Sequence, residues 1–322
     1  MRLHFVTTVE DRPDYHAMVR LWAFSIRRRA GMFAEAPISV AFNERMDAEV
    51  ARALEADLGV KCVVKPRISA KMRYANKYNA LDLPGLLESD AVMFFDTDTV
   101  VLEDLAPLAE IVPTADVWGV NEYRHERIFG LDRLFERYAG VTAGRAGAYR
   151  HAWNPMGLPY LNGGVWIVRT AHLAAFRERV LELTFELFAA MSAGGGKPLV
   201  WPLHWLRIQW NRAHYKRRPG WVLKPYFPKF YSDQMAIGLA AASLGLKLGI
   251  LPRSYNWCYD VEGQGETRPV RVLHYAKIHY PLECERLLDG GWAAEYAASG
   301  QPGKVGMAAL WREHADRYGV QV

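Results

Sequence analysis

Two carboxylates directly follow a strongly apolar run in the first third of the chain. Asp96 and Asp98 flank Thr97 at the end of Ala91–Phe95, a segment in which every residue is apolar. Carboxylates this close repel each other, and burial raises the cost of their charge. A divalent cation would remove both problems, and Mg²⁺ and Mn²⁺ prefer oxygen ligands with substrate phosphates completing the shell. The pattern predicts a metal site for a phosphorylated substrate, although the two acids could instead cap the next turn.

A histidine late in the chain is a further candidate ligand. His274 lies near the end of the apolar run Val270–Tyr275, and Lys277 follows it three residues later. Imidazole nitrogen is acceptable to Mn²⁺, and a nearby lysine would stabilise a leaving pyrophosphate. A single histidine is also common as a structural residue, so this alternative stays open.

Two further sets of polar residues lie at the predicted start of a strand and at the predicted start of a helix. Asn162 offers both a donor and an acceptor, and Gly163 with the glycine after it lets a ligand approach the backbone closely. Asp233 and Gln234 open an apolar helix directly after Ser232. Each group also has a purely structural explanation, as a turn in the first case and as a helix cap in the second.

The elements that must position these residues alternate in type along the first hundred residues. Strands are predicted at Leu3–Thr8, Ile38–Phe42, Val60–Val64 and Ala91–Phe95, and helices at about Asp14–Arg29, Met46–Leu58 and Tyr74–Leu87, the last interrupted by Pro84. This alternation indicates βαβ units, and therefore an α/β fold with a mainly parallel sheet. In such sheets ligands bind at the carboxyl ends of the strands, where Asp96 and Asp98 are expected to lie.

The second half of the chain is less regular. Further strands are predicted at Asp116–Val120, Gly164–Val168, Leu246–Leu251 and Val270–Tyr275, and helices at Ala171–Met191 and Ser232–Leu244. We expect a single catalytic domain, with a nucleotide-binding half at 1–120, an acceptor and sugar half at 121–280 and a C-terminal helical extension at 281–322. Segments 121–160 and 197–231 are the expected walls of the acceptor site.

Composition restricts the function classes further. The 322 residues are 51% hydrophobic and 23% charged, as is ordinary for a soluble globular protein. No signal-peptide pattern opens the sequence and the three cysteines are widely spaced, so a cytoplasmic protein without a cysteine zinc site is expected. The longest apolar stretch, Met235 to Leu251, is too short and too rich in glycine for a membrane span, and is better explained as a buried helix and strand.

The excess of basic over acidic residues comes from one segment of the chain. The net charge is +5, and residues 187–232 contain eight basic side chains and no acidic one. A nucleic-acid-binding surface would spread more widely over the chain, so no nucleic-acid partner is expected. Aromatic residues interleave with the basic ones in segment 197–231, which suits contact with an anionic membrane surface or a phosphate-rich acceptor as well as an ordinary charged face.

Taken in order, these features resemble the GT-A glycosyltransferases, which have a Rossmann-like nucleotide-diphospho-sugar transferase fold. The resemblance covers about residues 3–280 and is greatest to the retaining glycogenin-like and lipopolysaccharide-galactosyltransferase-like enzymes. It implies three groups of site residues. Nucleotide contacts fall on Thr7, Thr8, Lys77, Asp96, Thr97, Gly163 and Lys277, Mn²⁺ or Mg²⁺ ligands on Asp96, Asp98 and His274, and sugar-binding or catalytic roles on Asn162, Asp233 and Gln234.

One motif of the family is met only in part. Its late His-x-x-Gly-x-x-Lys-Pro-Trp is represented by His274, but the glycine is absent and Lys277 lies closer to the histidine than the family's lysine does. Arg271 or His279 could take over the phosphate contact.

The resemblance implies metal-dependent transfer of a sugar from a UDP-sugar to a saccharide or lipid-linked acceptor. It also implies retention, with Gln234 supporting positive charge at the anomeric carbon and Asp233 binding sugar hydroxyls. In an inverting reaction, Asp233 would be the general base instead.

Two other functions remain open. A haloacid-dehalogenase-like phosphatase would use Asp96 as its nucleophile, although such enzymes usually carry the motif on their first strand with a later acidic pair. A non-catalytic protein that binds a nucleotide sugar is the other alternative.

Overall fold

The computed structural model describes residues 1–121, 160–193, 232–258, 269–275 and 290–318, together with Arg137 and Gly140. Segment 197–231, most of segment 121–160, and Lys277 and His279 lie outside the described residues. None of the helices in the described part of the chain is long and apolar enough to cross a membrane.

The described residues form ten strands, and seven of them build the central sheet. The strands are β1 (Leu3–Glu10), β2 (Ile38–Asn43), β3 (Val60–Lys65), β4 (Ala91–Phe95), β5 (Thr99–Val101), β6 (Val117–Asn121), β7 (Leu161–Arg169), β8 (Leu248–Ile250), β9 (Trp257–Cys258) and β10 (Val272–His274). The sheet has the order β3-β2-β1-β4-β7-β6-β8. Neighbouring strands of this sheet pair in parallel, except that β7 is antiparallel to β4 and to β6. The predicted α/β class with a mainly parallel sheet is therefore confirmed.

Strand β4 is buried on both faces, as its continuous apolar sequence predicts. Met93 and Phe95 point into one core, and Val92 and Phe94 into the other. On the second side the ring of Phe94 stacks on Trp166 of β7, with 4.9 Å between centroids. The strand that carries the two carboxylates is thus held rigidly at the centre of the molecule.

Helices cover the sheet on both sides. They are α1 (Pro13–Arg29), α2 (Ala48–Leu58), α3 (Leu108–Ile111), α4 (Leu173–Ala193), α5 (Ser232–Ser243), α6 (Trp292–Ala298) and α7 (Pro302–Tyr318). Residues of α1, α2, α6 and α7 contribute to one core, and residues of α4 and α5 to the other. The stretch Met235 to Leu251 contains most of the buried helix α5 and the short strand β8, which is the helix and strand that the sequence predicted.

A second, small sheet joins distant parts of the chain. Its order is β5-β10-β9, with β10 antiparallel to β5 and parallel to β9. In this register His274 lies opposite both Thr99 and Cys258. Strands β5 and β9 were not predicted from the sequence, since both are very short. This sheet brings residue 274 beside the residues that follow β4.

The third predicted helical stretch is helical and is interrupted near Pro84 as expected, but its helices are of the 3-10 type. The segment predicted as a helix over Tyr74–Leu87 forms two 3-10 segments, Arg73–Asp82 and Leu86–Glu88. Side-chain contacts from outside explain part of the change, because Asn79 donates to the side chain of Asn43 at 3.0 Å and to the carbonyl of Pro66 at 2.9 Å. Gly85 separates the two segments with a φ of +88°, which glycine adopts without strain.

Candidate active site

The site lies at the carboxyl edge of the central sheet, directly after β4. The amide N–H of Asp96 donates to the carbonyl of Gly164 at 2.7 Å, and that of Tyr275 donates to the carbonyl of Asp98 at 2.8 Å. The hydroxyl of Thr99 donates to the carbonyl of Asp96 at 2.7 Å. Strands β7 and β10 therefore fix the turn that presents the two carboxylates.

Asp96, Asp98 and His274 come together at this turn. Each offers one ligand atom, and the three atoms all lie within 4.8 Å of one another. His274 Nε2 lies 3.3 Å from Asp98 Oδ1. Two carboxylate oxygens and one imidazole nitrogen are a donor set that suits Mn²⁺ and, through its oxygens, Mg²⁺. The geometry fits the predicted metal site.

The charges in this cluster oppose their own burial. Burial lowers the pKa of His274, but Asp98, and to a smaller extent Cys258, raise it well above the usual value. Burial likewise raises the pKa of Asp98, which His274 then lowers below its ordinary value. For Asp96 burial dominates over the attraction of Lys77, and the pKa is raised. Ionisable groups whose pKa values are shifted by burial and by neighbouring charges concentrate at functional sites.

Lys77 joins the cluster to the start of α5. Its Nζ lies 3.1 Å from Asp96 Oδ1 and 3.0 Å from Asp233 Oδ2, and it donates to the carbonyl of Gly163 at 3.3 Å. Burial alone would favour the neutral amine, but Asp96 and Asp233 raise the pKa of Lys77 above its ordinary value. The side chain is 12% exposed and that of Asp233 5%. Lys77 is thus a buried positive charge shared by two carboxylates.

Asp233 and Gln234 lie in the first turn of α5. The carbonyl of Asp233 accepts a hydrogen bond from the hydroxyl of Tyr78 at 2.8 Å, which fixes the beginning of the helix against the 3-10 segment 73–82. Gln234 is 9% exposed. Its Nε2 has no hydrogen-bond partner among the described residues. A buried amide donor without a partner costs about 1–3 kcal/mol, and this observation points to a ligand at this position.

The two glycines after Asn162 give the site its close contacts. A Cβ atom on Gly164 would lie 2.4 Å from His274 Cε1, and one on Gly163 would lie 3.2 Å from Lys77 Nζ. Asn162 Oδ1 accepts from the N–H of Gly164 at 2.8 Å. The absence of side chains at both positions allows the imidazole and the ammonium to approach the β7 backbone.

The two threonines predicted to contact the nucleotide differ in their surroundings. Thr7 is fully buried, and its hydroxyl donates to the carbonyl of Phe95 at 2.7 Å. Thr8 is partly exposed, and its hydroxyl donates to the carbonyl of Lys77 at 3.0 Å. Thr8 is therefore better placed to meet a ligand. Thr97 is also buried.

Asn256 is a residue of the site that the sequence patterns did not predict. Asn256 donates through Nδ2 to Asn162 Oδ1 at 2.7 Å, and its Oδ1 lies 2.9 Å from His274 Nδ1. It is 5% exposed. The signal that could have found it is weak, since it is a single amide residue between the aromatic residues Tyr255 and Trp257.

Similar proteins were found by their structures and not by their sequences. No protein-family model matches the sequence, and no curated protein matches it at a significant level. The structure of the galactosyltransferase LgtC in complex with donor and acceptor sugar analogues is 16% identical, covers 96% of this chain and 95% of that chain, and has a TM-score of 0.50. Mouse xyloside xylosyltransferase 1 in its apo form is 14% identical, covers 88% of this chain and 99% of that chain, and has a TM-score of 0.46. The likeness to LgtC over nearly the whole of both chains shows that this protein has the GT-A glycosyltransferase fold that its motifs predicted.

Proposed function

We propose that this protein is a metal-dependent glycosyltransferase that takes its sugar from a nucleotide-diphospho-sugar, with a UDP-sugar as the expected donor. The convergence of Asp96, Asp98 and His274 at the carboxyl edge of a GT-A fold is the observation that carries the proposal. Ligands of open α/β sheets bind at this edge. The LgtC structure was solved with donor and acceptor sugar analogues, which supports a sugar donor and a saccharide acceptor.

The site residues divide the work between them. Asp96, Asp98 and His274 would hold Mn²⁺ or Mg²⁺, and the ion, when bound, would neutralise charge on the leaving diphosphate. Lys77 pairs with Asp96 and Asp233, and it would add a positive charge beside the phosphates of a bound donor. Thr8 and Gly163 are proposed to meet the nucleotide, and Lys277 remains the predicted phosphate contact outside the described residues.

We further propose transfer with retention of configuration at the anomeric carbon. Asp233 Oδ2 is already bound to Lys77 at 3.0 Å, which suits it to orienting sugar hydroxyls. The amide of Gln234 can support positive charge without acting as a base, and its nitrogen is not engaged by any described residue. Proton NMR of the first product tests this. An α-linked UDP-sugar should give an α-linked product, and a β-linkage would make Asp233 the general base.

The geometry does not favour the phosphatase. Asp96 follows the fourth strand of the chain, and its Oδ1 is paired with Lys77 at 3.1 Å. A phosphatase nucleophile would be expected after the first strand. A non-catalytic binder of the same ligand is distinguished by whether the sugar bond is broken.

A UDP-release assay separates these three functions. The wild-type chain is incubated with common UDP-sugars and Mn²⁺, Mg²⁺ or EDTA, with and without saccharide acceptors. We expect release with Mn²⁺ that EDTA abolishes, no hydrolysis of p-nitrophenyl phosphate, and a loss of about 10³-fold in Asp98→Asn, because metal ions contribute several kcal/mol to such reactions. Asp82→Asn is the matched control, since that carboxylate is half exposed and pairs with Lys65 and Arg177.

The outcomes divide clearly. Phosphate release from p-nitrophenyl phosphate would support the phosphatase, and UDP-sugar binding without release would support the binder. Release that is indifferent to EDTA and to Asp98→Asn would contradict the metal site. Contact of segment 197–231 with anionic membranes stays a separate prediction, which binding to anionic but not neutral liposomes would test.

A further inference from the structure

Asn256 is a buried amide that connects the two sides of the site. Its Nδ2 donates to Asn162 Oδ1 at 2.7 Å, and its Oδ1 faces His274 Nδ1 at 2.9 Å. We propose that Asn256 is a positioning residue that fixes both the orientation of the His274 ring and the nitrogen that carries the proton, and that it couples this ring to Asn162. The proposal rests on the metal site of the proposed function.

The hydrogen bonds identify each atom of this chain of contacts. Asn162 Oδ1 accepts from the backbone N–H of Gly164 at 2.8 Å, so this atom is an oxygen. It therefore faces the NH₂ group of Asn256, and the other end of the Asn256 amide is its oxygen. Since an amide oxygen only accepts, the proton of the 2.9 Å contact belongs to His274 Nδ1.

The consequence is a defined ligand atom. The 3.3 Å contact between His274 Nε2 and Asp98 Oδ1 pairs the protonated ring with the carboxylate. A metal ion that displaced the proton on Nε2 would leave the proton on Nδ1 in place, so that Nε2 would be the ligand atom. Hydrogen bonds to the second nitrogen of a metal-binding histidine commonly set its tautomer and its ring orientation. Gly164 supports the same arrangement, because any side chain there would collide with the ring.

The bridge also joins two functions. Asn162 stands on the sugar side of the proposed site and His274 on the metal side, and Asn256 bonds to both. Loss of the amide oxygen of Asn256 should therefore affect metal binding through His274, and loss of its NH₂ group should affect Asn162. This makes two different substitutions informative.

Binding of Mn²⁺ in the presence of UDP, followed by the EPR signal of free Mn²⁺, is the first test. Asn256→Leu removes the acceptor at similar volume and should weaken Mn²⁺ binding about 10–100-fold, the usual range for such partners. Asn256→Asp retains an acceptor for Nδ1–H and should stay within about threefold of wild type. Cys258→Ala is the matched control, because Cys258 also interacts with the His274 ring. Equal affinity in Asn256→Leu and wild type would overturn the proposal.

Nitrogen NMR tests the same inference without any activity or Mn²⁺ affinity. In metal-free protein labelled with ¹⁵N-histidine, the Nδ1–H resonance of His274, assigned with His274→Gln, should be protected from exchange. The chemical shift of this resonance should change in Asn256→Asp. In Cys258→Ala the resonance should remain protected from exchange. On addition of ¹¹³Cd²⁺, the metal coupling should be on Nε2, and coupling on Nδ1 would refute the assignment.

The two proposals fail in different ways. If wild-type protein binds neither Mn²⁺ nor ¹¹³Cd²⁺, the metal site and with it the proposed function are wrong. The metal-free Nδ1–H resonance still decides whether Asn256 holds the ring. A resonance that is indifferent to Asn256→Asp and Asn256→Leu would show that it does not.

Discussion

A buried histidine lies at each end of the central sheet, His4 within β1 at the amino edge and His274 in the small sheet beside the carboxyl edge, and their pKa values are shifted in opposite directions. At the amino edge His4 Nε2 lies 2.8 Å from the hydroxyl of Ser39, and burial, followed by the charge of Lys61, lowers the pKa of His4 to about 4. At the carboxyl edge burial also disfavours the charged form of His274, but Asp98 raises its pKa well above the usual value.

The difference shows which edge is built for chemistry. Burial by itself keeps a histidine neutral, so the amino edge follows the ordinary rule for a folded core. The carboxyl edge instead gathers charged groups, against the cost of their desolvation. Lys77 pairs with Asp96 and Asp233 at 3.1 and 3.0 Å, His274 pairs with Asp98 at 3.3 Å, and ligand atoms of Asp96, Asp98 and His274 lie within 4.8 Å of one another. Such charge is expected where a ligand with charge of its own must be bound.

The largest expected effect is at the carboxyl edge. Lys77→Met would leave Asp96 and Asp233 without their shared cation, and removing one partner of a buried pair typically costs about 3–5 kcal/mol. We expect that loss in the free energy of unfolding, measured by urea denaturation. The double variant Lys77→Met/Asp233→Asn should recover part of it, because one uncompensated charge is removed. A Lys77→Met protein as stable as wild type would show that the carboxylates are not dependent on the lysine.

At the amino edge we expect His4 to make the free energy of unfolding depend on pH. The unfolded chain binds a proton at His4 near pH 6.5, whereas the folded protein does so only near pH 4, so protons favour unfolding between these values. With about 1.4 kcal/mol for each unit of pKa shift, His4 should remove about 3 kcal/mol of stability as the pH falls from 6.5 to 4.

The variant His4→Gln measures this share. The glutamine amide can still reach Ser39 but does not titrate, so the unfolding free energy should fall less steeply between pH 6.5 and pH 4 than in wild type. Denaturation curves at several pH values give the slope. An unchanged slope would mean that His4 is not held neutral, and the contrast between the two edges would disappear.

The smallest effect concerns the fit of His274 against β7. Gly164→Ala places a Cβ within 2.4 Å of the imidazole, so the ring must move away from its position. We expect Mn²⁺ affinity to fall by about 10-fold, which corresponds to about 1.4 kcal/mol, in the same EPR titration with UDP. Gly306→Ala in α7 is the control, because its Cβ would also meet a side chain closely, that of Leu102 at 3.0 Å, but not a residue of the proposed site. Equal losses in both variants would contradict a specific contact with His274.

Local patterns in the sequence were sufficient for the main elements and the motif. Strand β4 was predicted with its observed bounds, Ala91–Phe95, because an apolar run bounded by charged residues leaves few alternatives. The GT-A fold was predicted from the order of such motifs and is confirmed. The helical stretch Tyr74–Leu87 and its interruption at Pro84 were predicted, but its 3-10 type was not, since side chains in it bond to residues outside the segment. The roles of the site residues and the division of the chain into halves stay predictions.

The sequence by itself determined which residue types are available for chemistry and that two carboxylates end a buried strand. Only the tertiary structure decided that His274 lies 3.3 Å from Asp98, because the pairing of β10 with β5 sets that distance. It also decided the role of Asn256, which acts on Asn162, 94 residues away in the chain. The physical reason is the same in both cases. Periodicity and composition encode local structure, whereas a distance between remote residues follows from strand register and packing, to which many weak contacts contribute together.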